Sequence, residues 1–162
     1  MPQSARLVIP YYPQEKDYSC VPACARMMLE HYGVRMQEKE LRRILETKPL
    51  LETPAANVAR LATKLAVRAQ RPLRLTIGPC DLADLTVSLA GNCVPIVFLQ
   101  TGPLPSWSYD CGHAVVVVRI DDPDVAVHDP HPYQGPNQSI PRSSFEKAWA
   151  TTGNLAALFE PA

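Results

Sequence analysis

The chain has 162 residues, of which 46% are apolar and 20% charged, a composition typical of a soluble globular protein with one domain. Lys plus Arg and Asp plus Glu number 16 each, so the formal net charge is zero, which argues against nucleic acid or an anionic membrane as the main partner. The first residues contain no apolar stretch of signal-peptide length, and the apolar run from Ala114 to Val118 is too short to cross a bilayer. We therefore expect a single cytoplasmic domain over residues 1–162.

The first half of the chain predicts helices. Apolar residues recur at spacings of three and four from Val21 to Tyr32, and Gly33 follows as a helix stop. Three further helices are predicted from Gln37 to Leu45, after Pro54, and from Leu82 to Leu89.

The second half predicts strands. Short apolar runs rich in β-branched residues cover Val94–Leu99, His113–Ile120, Val125–His128 and Asn154–Phe159. The Asp121–Asp124 turn predicts that the middle two form a hairpin. Ser143 with Glu146 three residues later predicts a capping box that opens a helix reaching Trp149. The fold class is therefore α+β, with a helical N-terminal half packed on a C-terminal antiparallel sheet.

Cys20 directly precedes the apolar face of the first predicted helix. The positive end of a helix dipole stabilises a thiolate, which is the reactive form of a nucleophilic cysteine. A buried structural cysteine is the competing interpretation. Gln14, six residues earlier, carries an amide that could form an oxyanion hole with the backbone N–H of Cys20.

His113 opens the strongest predicted strand, and Asp129 ends the strand paired with it. If residues 121–124 form a tight turn, both lie near the same open end of the sheet. An imidazole there can take the thiol proton, and a carboxylate on its other nitrogen fixes its tautomer. Trp107 and Tyr109 lie in the preceding loop, where they either line a substrate cleft or anchor the loop.

The five cysteines are an odd number without repeated spacing, which favours free thiols over a disulfide framework. Cys20, Cys24, Cys111, His128 and His131 are residue types that bind zinc, but their spacing matches no common zinc pattern. We predict no metal and no cofactor, and Cys24 as a small core residue.

At these positions the sequence resembles the bacteriocin-leader-processing peptidases, which are papain-like cysteine proteases often called double-glycine peptidases. The resemblance is carried by Gln14, Cys20 at a helix start, Gly112-His113 on a strand and Asp129-Pro130 on the next, and it extends over nearly the whole chain, including the Phe145–Trp149 helix and the final strand. It implies a papain-like fold and a peptide or protein substrate. It also implies that Gln14 is the oxyanion glutamine and Cys20 the nucleophile. By the same resemblance His113 is the base and Asp129 the orienting aspartate.

Two features depart from that family. Val21 stands where the family usually has Gly after the nucleophile, and a side chain there could narrow the cleft or alter the approach to the thiolate. The family's best-known members are domains of ABC exporters, whereas this chain contains neither membrane helices nor an ATPase. Two other functions remain open: deamidation or acyl transfer on another amide by the same residues, and a non-catalytic peptide-binding module.

Overall fold

A computed structural model describes residues 5–49 and 73–161. The strands in these ranges are β1 Ala5–Arg6, β2 Leu73–Pro79, β3 Val94–Gln100, β4 Gly112–Ile120, β5 Asp124–Asp129, β6 Gly135–Pro141 and β7 Leu155–Pro161. These seven strands form one antiparallel sheet with the order β2-β7-β3-β4-β5-β6, and β1 pairs with β4 outside that path. The predicted hairpin is confirmed as the β4–β5 pair.

The helices in the described ranges are α1 Cys20–His31, α2 Glu38–Ile44, α3 Leu82–Ala90 and α4 Arg142–Ala150. The predicted helices at the corresponding positions are confirmed, and the one predicted after Pro54 lies outside the described residues. None of these helices is long and apolar enough to cross a membrane.

Helices cover both faces of the sheet. On one face α1 and α2 pack their apolar side chains, such as Met28 and Leu41, against Ile96 and Val116. On the other face α3 and α4 pack Leu85, Phe145 and Trp149 against alternate residues of the same strands, such as Val97 and Val115. Coverage of both faces explains why β4 contains the unbroken apolar run from Ala114 to Val118. The α+β fold class is thereby confirmed.

Two strands of the first half, β1 and β2, were not predicted. In β2, Leu73, Leu75 and Ile77 alternate with Arg74 and Thr76, which is the period-two signal of a strand. The strand β6 was not predicted, because it is polar and ends in proline; such a strand is tolerated at the edge of a sheet, where β6 lies.

The predicted capping box of Ser143 and Glu146 was also wrong. Helix α4 starts at Arg142, its N-cap is Pro141, and no side chain caps it. The backbone N–H of Arg142 donates to the carbonyl of Pro123 at 2.9 Å, so tertiary structure supplies a partner at this helix start. The carboxylate of Glu146 accepts from Nε of Arg142 at 3.0 Å instead.

Candidate active site

Cys20 is the first residue of α1, with Ser19 as the N-cap. Pro22 lies within the first turn, where a missing N–H removes no helical hydrogen bond. The N–H groups of this turn have no partner inside the helix, and together with the helix dipole they favour an anion beside Cys20. Cys20 is only 6% exposed, so the residue is nearly buried.

His113 and Asp129 form a buried pair. Nε2 of His113 and Oδ1 of Asp129 are 2.7 Å apart, and both side chains are almost fully buried. Since Asp129 occupies Nε2, Nδ1 is the ring nitrogen left for Cys20. The structure therefore brings together the two residues that the hairpin argument placed at one end of the sheet.

A β-bulge makes this contact possible. The register pairs Ile120 with Val125 at the turn, then shifts by one residue between Val117 and Arg119, and pairs Val116 with His128. Continued along the strands, the shifted register sets Asp129 diagonal to His113 on the same face. Without the shift Asp129 would face the opposite side of the sheet, because successive side chains alternate between faces.

The electrostatics of the pair favour a charged imidazole. Burial alone lowers the pKa of His113, but the hydrogen bond to Asp129, a side-chain hydrogen bond with Cys20 and the charges of both partners outweigh it and raise the pKa to about 10. The charged imidazolium is therefore favoured when both of its partners, Cys20 and Asp129, carry a negative charge. That arrangement suits a group that must stabilise a thiolate and later donate a proton.

Asp129 accepts two further hydrogen bonds. Oδ2 accepts from Nε1 of Trp107 at 3.2 Å, and Oδ1 accepts from the backbone N–H of His131 at 2.9 Å. The indole of Trp107 also packs on the His113 ring, with ring centroids 4.8 Å apart. Trp107 therefore anchors its loop onto the pair. The bond to Asp129 was missed from the sequence, although a partly buried indole N–H usually requires an acceptor.

The structure places Gln14 against the same end of β5. It is buried, and its backbone N–H donates to the carbonyl of Pro130 at 2.7 Å. Its amide Nε2 donates to the carbonyl of Lys16 at 2.8 Å, which uses one of the two amide hydrogens. Gln14 thus lies between Asp129-Pro130 and the segment that leads into Cys20.

Val21 lies in the core cluster that also contains Cys20. Its side chain is buried in the core beneath α1, so the isopropyl group takes part in packing. Cys24, one turn after Cys20, is fully buried in the same core, as predicted.

His128 is held as a neutral structural residue. Its Nε2 lies 2.7 Å from the carbonyl of Ile9, and its Nδ1 accepts from the backbone N–H of Asn137 at 3.1 Å. Burial lowers its pKa, and the Ile9 carbonyl only partly opposes this effect. Both ring nitrogens are therefore occupied. Within residues 5–49 and 73–161 no group of three or more His, Cys, Asp or Glu side chains is arranged to hold a metal ion.

The sheet, the helix that starts at Cys20 and the paired imidazole and carboxylate give this chain the architecture of the papain-like cysteine peptidases. The chain belongs to the Peptidase_C39 like family, whose model matches residues 6–157.

Three solved structures share the fold. The peptidase domain of Streptococcus ComA, a bi-functional ABC transporter of a quorum-sensing pathway, is 21% identical, with a TM-score of 0.71 over 93% of this chain and 97% of that one. A C39-like protein from Bacillus anthracis is 16% identical, with a TM-score of 0.72 over 98% of each chain. A double-glycine-motif protease from an AMS/PCAT transporter, solved with its leader peptide, is 17% identical, with a TM-score of 0.70 over 98% of this chain and 95% of that one.

A sequence relative is the uncharacterized protein YvpB of Bacillus subtilis (strain 168), which is 32% identical over 77 residues. That match spans 46% of this chain and 30% of YvpB.

Proposed function

We propose that this chain is a cysteine peptidase that hydrolyses peptide bonds through an acyl-thioenzyme, with Cys20 as nucleophile. The observation that carries the proposal is the 2.7 Å contact between His113 and Asp129. The interaction of His113 with Cys20, which also raises the pKa of His113, supports it. Membership of the Peptidase_C39 like family supports the same reaction class.

The steps follow from the groups present. The Cys20 thiolate attacks the carbonyl carbon and forms a C–S bond, while the Gln14 amide and the Cys20 backbone N–H stabilise the oxyanion. The C–N bond then breaks as His113 donates its proton to the leaving amine. Neutral His113 next takes a proton from water, whose oxygen attacks the thioester and releases the acid and the Cys20 thiolate. Asp129 keeps the imidazole oriented throughout.

For the substrate class we propose the leader segment of a precursor peptide. The support is the structural relative that was solved with its leader peptide bound. Such a substrate would be an extended or helical peptide that reaches the nearly buried thiol with a small residue on the acyl side.

The test is cleavage of a peptide library that includes leaders ending in Gly-Gly, with fragments read by mass spectrometry. Wild type should give defined fragments, and Cys20→Ala should give none because no acyl-enzyme can form. Cys111→Ala is the matched control, since it removes a half-buried thiol two residues from His113 and should still cleave. Cleavage by Cys20→Ala would refute the assignment.

The other two functions are outcomes of the same assay. Release of ammonia without chain cleavage would favour deamidation, and a new amide formed with an added peptide amine in preference to the acid would favour acyl transfer. A folded wild-type chain that binds peptides but forms neither fragments nor a covalent adduct at Cys20 would be a binding module.

A further inference from the structure

One buried carboxylate oxygen links both ends of the segment that separates Gln14 from Cys20. Glu38 begins α2 and is only 1% exposed. Its Oε1 accepts from the backbone N–H of Glu15 at 2.9 Å and from the hydroxyl of Ser19 at 3.1 Å. Glu15 follows Gln14, and Ser19 precedes Cys20. A single atom therefore holds the two neighbours of the proposed oxyanion donors.

Inside this segment, a turn aims the Gln14 amide. The N–H of Ser19 donates to the carbonyl of Lys16 at 3.2 Å, and the N–H of Lys16 donates to Ser19 Oγ at 2.9 Å. The single hydroxyl hydrogen of Ser19 can reach Lys16 O at 3.0 Å or Glu38. A carboxylate is a stronger acceptor than a carbonyl, so the hydroxyl donates to Glu38. The Lys16 carbonyl then accepts from the Ser19 N–H and from Nε2 of Gln14.

The charges around Glu38 complete this clamp. Arg42, one turn along α2, donates to Oε2 of Glu38 and to Oε1 of Glu15 at 3.2 Å. Arg26 of α1 approaches the other oxygen of Glu15 at 3.7 Å. The pKa of Glu38 is raised, chiefly by burial and also by the charge of Glu15, and the Glu15 N–H, the Ser19 hydroxyl and the charge of Arg42 oppose this rise only in part. Burial of a carboxylate costs desolvation free energy. The hydrogen bonds that offset this cost at Glu38 come from Arg42 and from the segment beside the site.

We propose that Glu38 is a positioning residue, which fixes the separation of the Gln14 side chain and the Cys20 backbone N–H by clamping residues 15–19. The inference rests on the proposed function, because the distance matters only if both groups bind one oxyanion. Glu38 itself touches no substrate.

The experiment compares kcat and KM for a cleaved peptide with the rate of Cys20 alkylation by iodoacetamide. The glutamine in Glu38→Gln has only one acceptor oxygen. Its NH2 group must therefore face donors, either those of Arg42 or those of residues 15–19, and the hydrogen bonds on that side are lost. We expect kcat to fall about 10- to 100-fold, as for a small misplacement of catalytic groups. KM and alkylation should change little, since alkylation develops no oxyanion.

The decisive variant is the double mutant Gln14→Ala/Glu38→Gln. If Glu38 acts through Gln14, its replacement should cost much less kcat in the Gln14→Ala background than in wild type. An equal loss in both backgrounds would show a general structural role and overturn the inference.

Two further variants provide a second test and a control. Ser19→Ala removes the hydroxyl that joins Glu38 to the turn at the Lys16 N–H, and it should lower kcat even if Glu38→Gln fails to fold. An unchanged kcat would overturn the inference. Glu146→Gln is the matched control, because it breaks an exposed Arg–Glu pair of the same helical spacing in α4 and should leave kcat unchanged. A wild type without turnover would overturn the proposed function together with this inference, whereas a fully active Glu38→Gln would overturn the inference alone.

Discussion

Replacement of Asp129 by Asn should create a specific conflict with Trp107. The carboxylate accepts at both oxygens, from His113 and the His131 backbone at Oδ1 and from the Trp107 indole at Oδ2. An amide has one acceptor oxygen, and facing it toward His113 keeps two of the three hydrogen bonds. The amide nitrogen then points its hydrogens at the Trp107 N–H.

The size of the effect follows from that unmatched pair of donors. A buried donor left without an acceptor costs about 1–3 kcal/mol, and each kcal/mol lowers Tm by about 2–4 °C in a protein of this size. Asp129→Asn should therefore lower Tm by about 2–12 °C. It should also slow alkylation of Cys20 near pH 7, because the hydrogen bond to Asp129 is the main influence that raises the pKa of His113.

Trp107→Phe supplies the test. In wild type this change removes a hydrogen bond to a charged group, whereas in the Asp129→Asn background it removes the opposing donor. Trp107→Phe should therefore lower the free energy of unfolding by about 0.5–3 kcal/mol less in the Asp129→Asn background than in wild type. Thermal unfolding of the four proteins in the double-mutant cycle measures the difference. An equal cost in both backgrounds would refute the indole–carboxylate hydrogen bond, and wild-type alkylation in Asp129→Asn would refute its electrostatic role.

Three other predictions concern separate parts of the site. Gln14→Ala should slow peptide turnover about 100- to 1,000-fold, the usual loss for one oxyanion donor, while the rate of Cys20 alkylation stays within a few-fold of wild type. Unchanged rates of both turnover and alkylation would refute the oxyanion role. The ring of His113 should stay protonated up to about pH 10, whereas the pKa of His128 should lie below that of a free histidine. Since folding raises the pKa of His113, its contribution to the free energy of unfolding should be full below about pH 6.5 and disappear as pH rises through about 10. Nitrogen-15 NMR and urea unfolding check both points, and a neutral His113 at pH 7 would contradict them. Val21→Gly should cost about 2–4 kcal/mol in lost burial and helix propensity without speeding alkylation, and faster alkylation would show that the valine does obstruct the thiol.

Local patterns in the sequence were sufficient for the elements that carry the site. The spacing of apolar residues after Cys20 predicts α1, and the apolar run after His113 with the following Asp-Pro turn predicts the β4–β5 hairpin. These features depend on neighbours within a few residues, so helix and strand periods reveal them. The order and spacing of Gln14, Cys20, His113 and Asp129 likewise sufficed to suggest the family to which the chain belongs.

The contacts that complete the site depend on tertiary structure. The hairpin was predicted, but not the one-residue bulge that turns Asp129 to the face of His113, and a slip of one residue reverses every side chain beyond it. The direction of Val21 depends on how α1 packs against the sheet, which no local period encodes. The hydrogen bonds of Trp107 to Asp129 and of Glu38 to Ser19 join residues 22 and 19 positions apart. Such contacts form only when separate elements pack together, because burial then forces each polar group to find its partner in whichever element lies against it.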